Sequence, residues 1–221
     1  MSEKLCKSMS LLWGAGSPPC WRVMITLEEK RLQGYKRKLL SFQKGEHKSQ
    51  EVLELNPRGQ LPAFRHGDVV VNESTAACLY LENRFQSQGN RLIPDSPAEQ
   101  ALVFQRMMEG LTLTDRLNSV IYYDLLVPEE ERHDSTLKRS KETLSTELQL
   151  WEGYLQNAPT WLGRSPWQMW SFIQTLRLLS AGRFPKLAKY YSLLKERPSI
   201  KASWPPQWMS SRQGYGVLKD L

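Results

Sequence analysis

Apolar and polar residues along the first third of the chain follow strand and short-helix spacing. Leu11-Leu12-Trp13-Gly14 is a brief apolar run ending in a turn former, which predicts a strand. Ser17-Pro18-Pro19 then opens a helix: serine is a good cap, and proline is tolerated in a first turn. Cys20, Met24, Leu27 and Arg31 recur at helical spacing and give that helix one mostly apolar face, with Gly34 stopping it. Tyr35 to Phe42 reads as a second strand, Gln43 to Ser49 as a polar loop, and Gln50 to Leu55 as a short helical turn. Ala63-Phe64 begins an extended run, His66-Gly67-Asp68 is a hairpin turn, and Val69-Val70-Val71 is the returning strand. Asn72 can cap a helix that begins near Glu73 and runs to about Phe85.

The order β-α-β-α-β-β-α fits a small α/β domain of thioredoxin type over residues 10–86, behind a loose tail at residues 1–9. Residues 87–97 hold Gly89, Asn90, Pro94, Asp95, Ser96 and Pro97 and read as a linker. Beyond it, residues 98–221 are predicted all-helical. Ala98 to about Leu126 forms one long segment with Gly110 as the candidate bend. Pro128-Glu129-Glu130-Glu131 opens an acidic stretch, and Leu144, Leu148, Trp151 and Leu155 form a buried stripe. Phe184 to Leu194 is a further helix, ended by Arg197-Pro198.

Composition narrows the picture. The 221 residues carry a net charge of +7, which raises the question of nucleic acid. Lys and Arg are spread along the whole chain and interleaved with Glu, so no nucleic-acid partner is expected; a positive field suits a small anionic ligand equally well. No run of about 18 apolar residues occurs, so no membrane span is expected. No signal peptide is read at the start, where Met9 to Trp13 is too short and interrupted to serve as its apolar core. Cys6, Cys20 and Cys78 are scattered, which favours a reducing, cytoplasmic compartment. His47, His66 and His133 lie far apart, so no metal is expected.

The most informative stretch is Asn56-Pro57-Arg58-Gly59-Gln60-Leu61-Pro62-Ala63-Phe64, followed by Asn72-Glu73-Ser74. A proline just before a strand can hold a cis peptide bond, a conformation that usually serves a purpose. A helix start carrying Glu and Ser offers N–H groups to a carboxylate and a carboxylate to an amine, which suits a zwitterion. By spacing alone, a plain helix cap after a hairpin explains the same residues.

With its α/β domain, its proline–strand–strand–Glu-Ser element and its helical second half, the chain resembles the cytosolic glutathione transferases. It is most similar to their serine-type (theta/phi-like) branch and, within that, to the fish rho group. The segments carrying the resemblance are Gly16-Ser17-Pro18-Pro19-Cys20-Trp21-Arg22, Gly45-Glu46-His47-Lys48, Gln60-Leu61-Pro62, Asn72-Glu73-Ser74 and Phe184-Pro185-Lys186-Leu187-Ala188-Lys189-Tyr190-Tyr191. The resemblance implies that the Ser17 hydroxyl donates to the glutathione sulfur, raising the thiolate fraction of a thiol whose free pKa is about 8.5. It implies that Leu61, ahead of cis-Pro62, pairs its main chain with the cysteinyl amide, with Gln60 beside it. Glu73 and Ser74 would hold the γ-glutamyl amine and carboxylate, and His47 and Lys48 would face the glycyl carboxylate.

It also implies a pocket for small apolar electrophiles, with Trp13, Met107, Met108, Leu111 and Tyr122 as candidate liners, no cofactor beyond glutathione as co-substrate, and a homodimer. Against these roles stand ordinary ones: a helix cap for Ser17, a solvated loop for His47 and Lys48, core packing for the pocket liners. Cys20 reads as a packed thiol, because Ser17 occupies the position where thiol-transferring relatives carry cysteine. Two alternatives remain open, a non-catalytic carrier of glutathione and apolar ligands, and a glutathione-dependent thiol reductase.

One segment departs from the family pattern. Where a Tyr-Leu-Ala-Gly run and a Ser-x-x-Asp helix box are expected, this chain reads Ala158-Pro159-Thr160-Trp161-Leu162-Gly163-Arg164-Ser165-Pro166-Trp167-Gln168-Met169-Trp170. Shifting the codon frame by one base makes Trp167-Gln168 encode alanine and Met169-Trp170 encode valine. Gln168-Met169 becomes Asn or Asp, and the following steps permit Val, Phe, Tyr, Pro and Asp. The hypothesis is that roughly residues 158–183 are out of frame, through a sequencing or gene-prediction error or a compensated frameshift. Sequencing the transcript decides it, since repeated recovery of the present reading sinks the error explanation. Read literally, Ser165-Pro166-Trp167-Gln168 still resembles a capping box.

Overall fold

The computed structural model describes residues 8–156, 182–205 and 218; the anomalous stretch, apart from its last two residues, lies outside them. The chain divides into two compact units, residues 1–93 with 198–211, and residues 94–197 with 212–221.

The first unit is built on a four-stranded sheet in the order β2-β1-β3-β4. Strands β1 (Met9–Gly14) and β2 (Lys36–Leu40) run parallel, joined by helix α1 (Pro18–Glu29). A 3-10 turn at Glu46–Lys48 and the short helix α2 (Gln50–Leu53) lead to the antiparallel hairpin β3 (Ala63–His66) and β4 (Val69–Val71), with Gly67 at φ 60° in its turn. Helix α3 (Ser74–Arg84) follows and packs on α1. This is the thioredoxin-like arrangement that the element order predicts.

Two details differ from the local pattern. Every residue of α1 from Cys20 to Leu27 is buried, not only one face. The cause is distant in sequence: helix α8 (Pro198–Ser203) returns to this unit and packs on α1. There Trp21 Nε1 donates to Ser203 Oγ at 2.9 Å, and the Trp21 and Trp204 rings meet edge to face at 5.0 Å. At the start of α3 the capping position belongs to Glu73; Asn72 instead donates its side-chain amide to the Leu55 carbonyl at 2.8 Å.

The segment read as a linker is fastened to the first unit. The Lys30 ammonium, fully buried, lies 2.8 Å from Glu82 and also donates to the Asn90 carbonyl. The other Glu82 oxygen accepts the N–H groups of Leu92 and Ile93, and Glu29 accepts from the Asn90 side chain and from Ser199.

Among the described residues the second unit is helical: α4 (Pro97–Ile121), α5 (Tyr123–Leu126), a 3-10 turn at Glu129–Glu131, α6 (Asp134–Tyr154) and α7 (Pro185–Leu194). Helix α4 is continuous through Gly110, the candidate bend, which is buried within it. The interruption falls at Tyr122, whose φ of −104° and ψ of 14° leave helical geometry. Leu144, Leu148 and Trp151 form the predicted stripe on α6, with Leu155 half-buried just beyond it. Arg106 of α4 stacks 3.5 Å from the centre of the Tyr154 ring of α6. The Glu152 carboxylate accepts the first free N–H groups of α7, those of Lys186 and Leu187, at 2.7 and 2.9 Å, and so caps a helix that lacks a cap of its own.

Candidate functional site

Ser17 caps α1 in extended geometry, its Oγ accepting the Cys20 N–H at 3.3 Å. The hydroxyl oxygen is used there as an acceptor, and the same hydroxyl lies against the Cys20 thiol, whose pKa it lowers. Pro18 and Pro19 occupy the first helical positions, where no N–H is needed, and the residue is only half-buried. Gly14, at the end of β1, leaves no room for a Cβ because the Phe42 ring lies against it.

From that point a circuit of contacts joins the sequence-predicted residues of the first unit. Phe42 meets the His47 ring at 5.2 Å between centroids, and His47 Nδ1 is buried without a hydrogen-bond partner. Lys48, exposed, donates to the Arg58 carbonyl at 3.0 Å. The Arg58 guanidinium pairs with Glu73 at 3.1 Å, and both are largely exposed. Ser74, buried at the first position of α3, accepts a hydrogen bond from Arg22 at 2.7 Å, which closes the circuit back on α1. Gln60 is exposed, its carbonyl accepting from the Asn56 side chain at 2.8 Å. Leu61 is buried outside the strand ladder, and the Leu61–Pro62 peptide is cis.

Arg22 and Arg58 are the residues the sequence reading passed over. Arg22 stands in one of the segments quoted above, and the available signal was a cation in the middle of a helix whose neighbours are all apolar.

The thiols sort themselves by burial. Cys20 is fully buried, and burial pushes its pKa up to about 11, with the Ser17 side chain and the Gly14 amide lowering it by less. Burial also pushes Cys78 up to about 11, with Thr26 and Arg22 offsetting part. Neither is a thiolate near neutral pH, so neither is poised for thiol exchange. Among the described residues no cluster of His, Cys, Asp and Glu could hold a metal ion, and no helix is long and apolar enough to cross a membrane.

The electrophile-pocket candidates divide between the units. Trp13 is buried in the first. In the second, Met107 is buried, whereas Met108, Leu111 and Tyr122 are exposed.

Residues 16–84 match the profile of the glutathione S-transferase N-terminal domain. Over 98% of this chain and the whole of the relative, the sequence is 59% identical to glutathione S-transferase A of Pleuronectes platessa. The chain belongs to the glutathione S-transferase family. The structures agree: a glutathione S-transferase from the Antarctic clam Laternula elliptica superposes with a TM-score of 0.82 at 35% identity, covering 96% of this chain and 99% of that one. A glutathione transferase of Phanerochaete chrysosporium, solved with oxidized glutathione, gives 0.72 at 26% identity, covering 92% and 97%. The family profile spans the residues of the contact circuit, from Ser17 through Ser74.

Proposed function

We propose that this chain is a glutathione transferase in which Ser17 stabilises the glutathione thiolate for attack on soft, mostly apolar electrophiles. The observation that carries the reading is the Ser17 hydroxyl at the N-cap of α1: its oxygen is held by the Cys20 N–H, and the residue is only half-buried, so it can turn its hydrogen bond to a ligand. A sulfur anion placed there gains that hydrogen bond and the positive end of a 12-residue helix. Glutathione enters as co-substrate, and no resident cofactor is invoked. Main-chain groups of Leu61, which no strand uses, take the cysteinyl amide, with Gln60 alongside. Glu73 and Ser74 take the γ-glutamyl amine and carboxylate. His47 and Lys48 take the glycyl carboxylate, where positive charge is complementary. Trp13, Met107, Met108, Leu111 and Tyr122 remain candidates for the electrophile side, and adaptable methionines suit varied apolar shapes. A cytoplasmic homodimer fits the reading.

The test is retention on immobilised glutathione followed by turnover of a general chromogenic electrophile, with Ser17→Ala alongside. The variant should still be retained while losing about 100-fold or more of its turnover at neutral pH, the usual cost of removing one donor to a developing or resting anion. Part of that loss should return as pH rises past the free thiol pKa of about 8.5. Retention without turnover in the unaltered protein would favour a carrier. The reductase alternative is opposed by the burial and raised pKa of Cys20, and complete loss of activity in Cys20→Ser would revive it.

A further inference from the structure

The guanidinium of Arg22 is 4% exposed and sits on α1 beneath the first turn of α3. Its Nη1 donates to the Ser74 hydroxyl at 2.7 Å and to the Thr75 hydroxyl at 3.0 Å. Among the described residues no carboxylate pairs with it; the nearby Glu73 turns outward to Arg58. Burial lowers its pKa from the usual arginine range, with Cys78 and Glu73 offsetting part of that effect. A buried cation served only by neutral hydroxyls is expensive, and an anion brought close to it recovers that cost. Two further facts fix where such an anion belongs. Ser74 Oγ accepts from Arg22, so its own hydrogen is directed away from the guanidinium. Ser74 also opens an 11-residue helix whose first N–H groups lack internal acceptors.

Resting on the glutathione-site reading above, we infer that Arg22 is a positioning residue for the γ-glutamyl end of glutathione. It fixes the Ser74 and Thr75 hydroxyls as donors and supplies, from beneath, the positive charge that the α-carboxylate neutralises. Arg22 does not touch the sulfur and has no part in the bond-forming step. Its contribution is to affinity for one group of one substrate.

The experiment pairs Arg22→Gln, Arg22→Lys and Ser74→Ala with two ligands, glutathione and 4-aminobutyryl-cysteinyl-glycine, which keeps the amine but lacks the α-carboxylate. Calorimetric Kd and steady-state kcat and KM are measured on folded protein. Arg22→Gln should weaken glutathione binding about tenfold or more while leaving kcat at saturation within about twofold, and Arg22→Lys should recover part of the affinity. Against the carboxylate-free ligand the unaltered protein should itself bind weakly, and Arg22→Gln should add nothing further, because the two changes remove the same interaction. Equal weakening of both ligands by Arg22→Gln, or a change in thermal stability alone, would overturn the proposal while a carboxylate-dependent Ser74→Ala effect leaves the site reading standing. No effect of Ser74→Ala on glutathione affinity would overturn both. Should Arg22→Gln accumulate only as insoluble protein, Arg22→Lys carries the same two-ligand comparison.

Discussion

Helix α1 carries two buried cations two turns apart, and they are treated in opposite ways. Lys30, just past its C-terminal end, meets a carboxylate, a carbonyl and the fastened segment around Asn90; every oxygen of its partner Glu82 is engaged. Arg22, nearer the N-terminal end, meets only two hydroxyls among the described residues. Both lie against α3, and both reach residues 52 positions away in sequence. The contrast teaches how one pair of packed helices serves two ends. At one, charge is balanced internally and the helices are locked. At the other, charge is left for something outside the chain to balance.

The comparison is broken most severely at the locked end. Lys30→Met leaves Glu82 buried without its counter-ion and should cost about 3–5 kcal/mol, read as a lower urea midpoint. The same change in Arg22's neighbourhood acts on ligand affinity first, as set out above. Replacing Lys30 and Glu82 together with Met and Leu should restore much of the loss, since removing both charges removes the desolvation cost as well.

A smaller effect is expected from the two thiols that flank Arg22 on α1 and α3. Their folded pKa values are raised to about 11, so each contributes stability that is complete below the unfolded pKa and is lost as pH climbs from about 9 through 11. The loss should reach roughly 2–3 kcal/mol apiece by the end of that range. Urea midpoints at pH 8 and pH 10.5 should therefore diverge, and less so in Cys78→Ala. Smallest of all is Arg58→Ala. Its pair with Glu73 is exposed on both sides, so stability should move by less than about 1 kcal/mol. A larger shift would show that the outer rim of the site is as firmly built as its floor.

What was legible in the sequence was whatever local spacing encodes. The strands, the hairpin at Gly67, the Ser17 cap and the stripe on α6 follow from periodicity and turn chemistry, and all lie within about 20 residues of their signals. The long-range features were not legible by that route. Arg22 among apolar neighbours reads as a flanking charge until folding brings Ser74 against it. Lys30 and Glu82 each read as surface residues until folding pairs them. The full burial of α1 depends on α8, far down the chain; the largely apolar run from Trp21 to Leu27 hints at a second cover but does not say which segment supplies it. Asn72 failed for a related reason: a favourable local role, that of a cap, lost to a tertiary one.

The return of α8 has a consequence for how the protein is made. Trp21 and Glu29 are on α1, yet their partners Ser203 and Ser199 follow 182 and 170 residues later in the chain. During translation of the whole helical half, the back of α1 must wait uncovered. The nascent first unit thus exposes Trp21 until α8 arrives, and cutting the chain after residue 93 would make that unfinished state permanent.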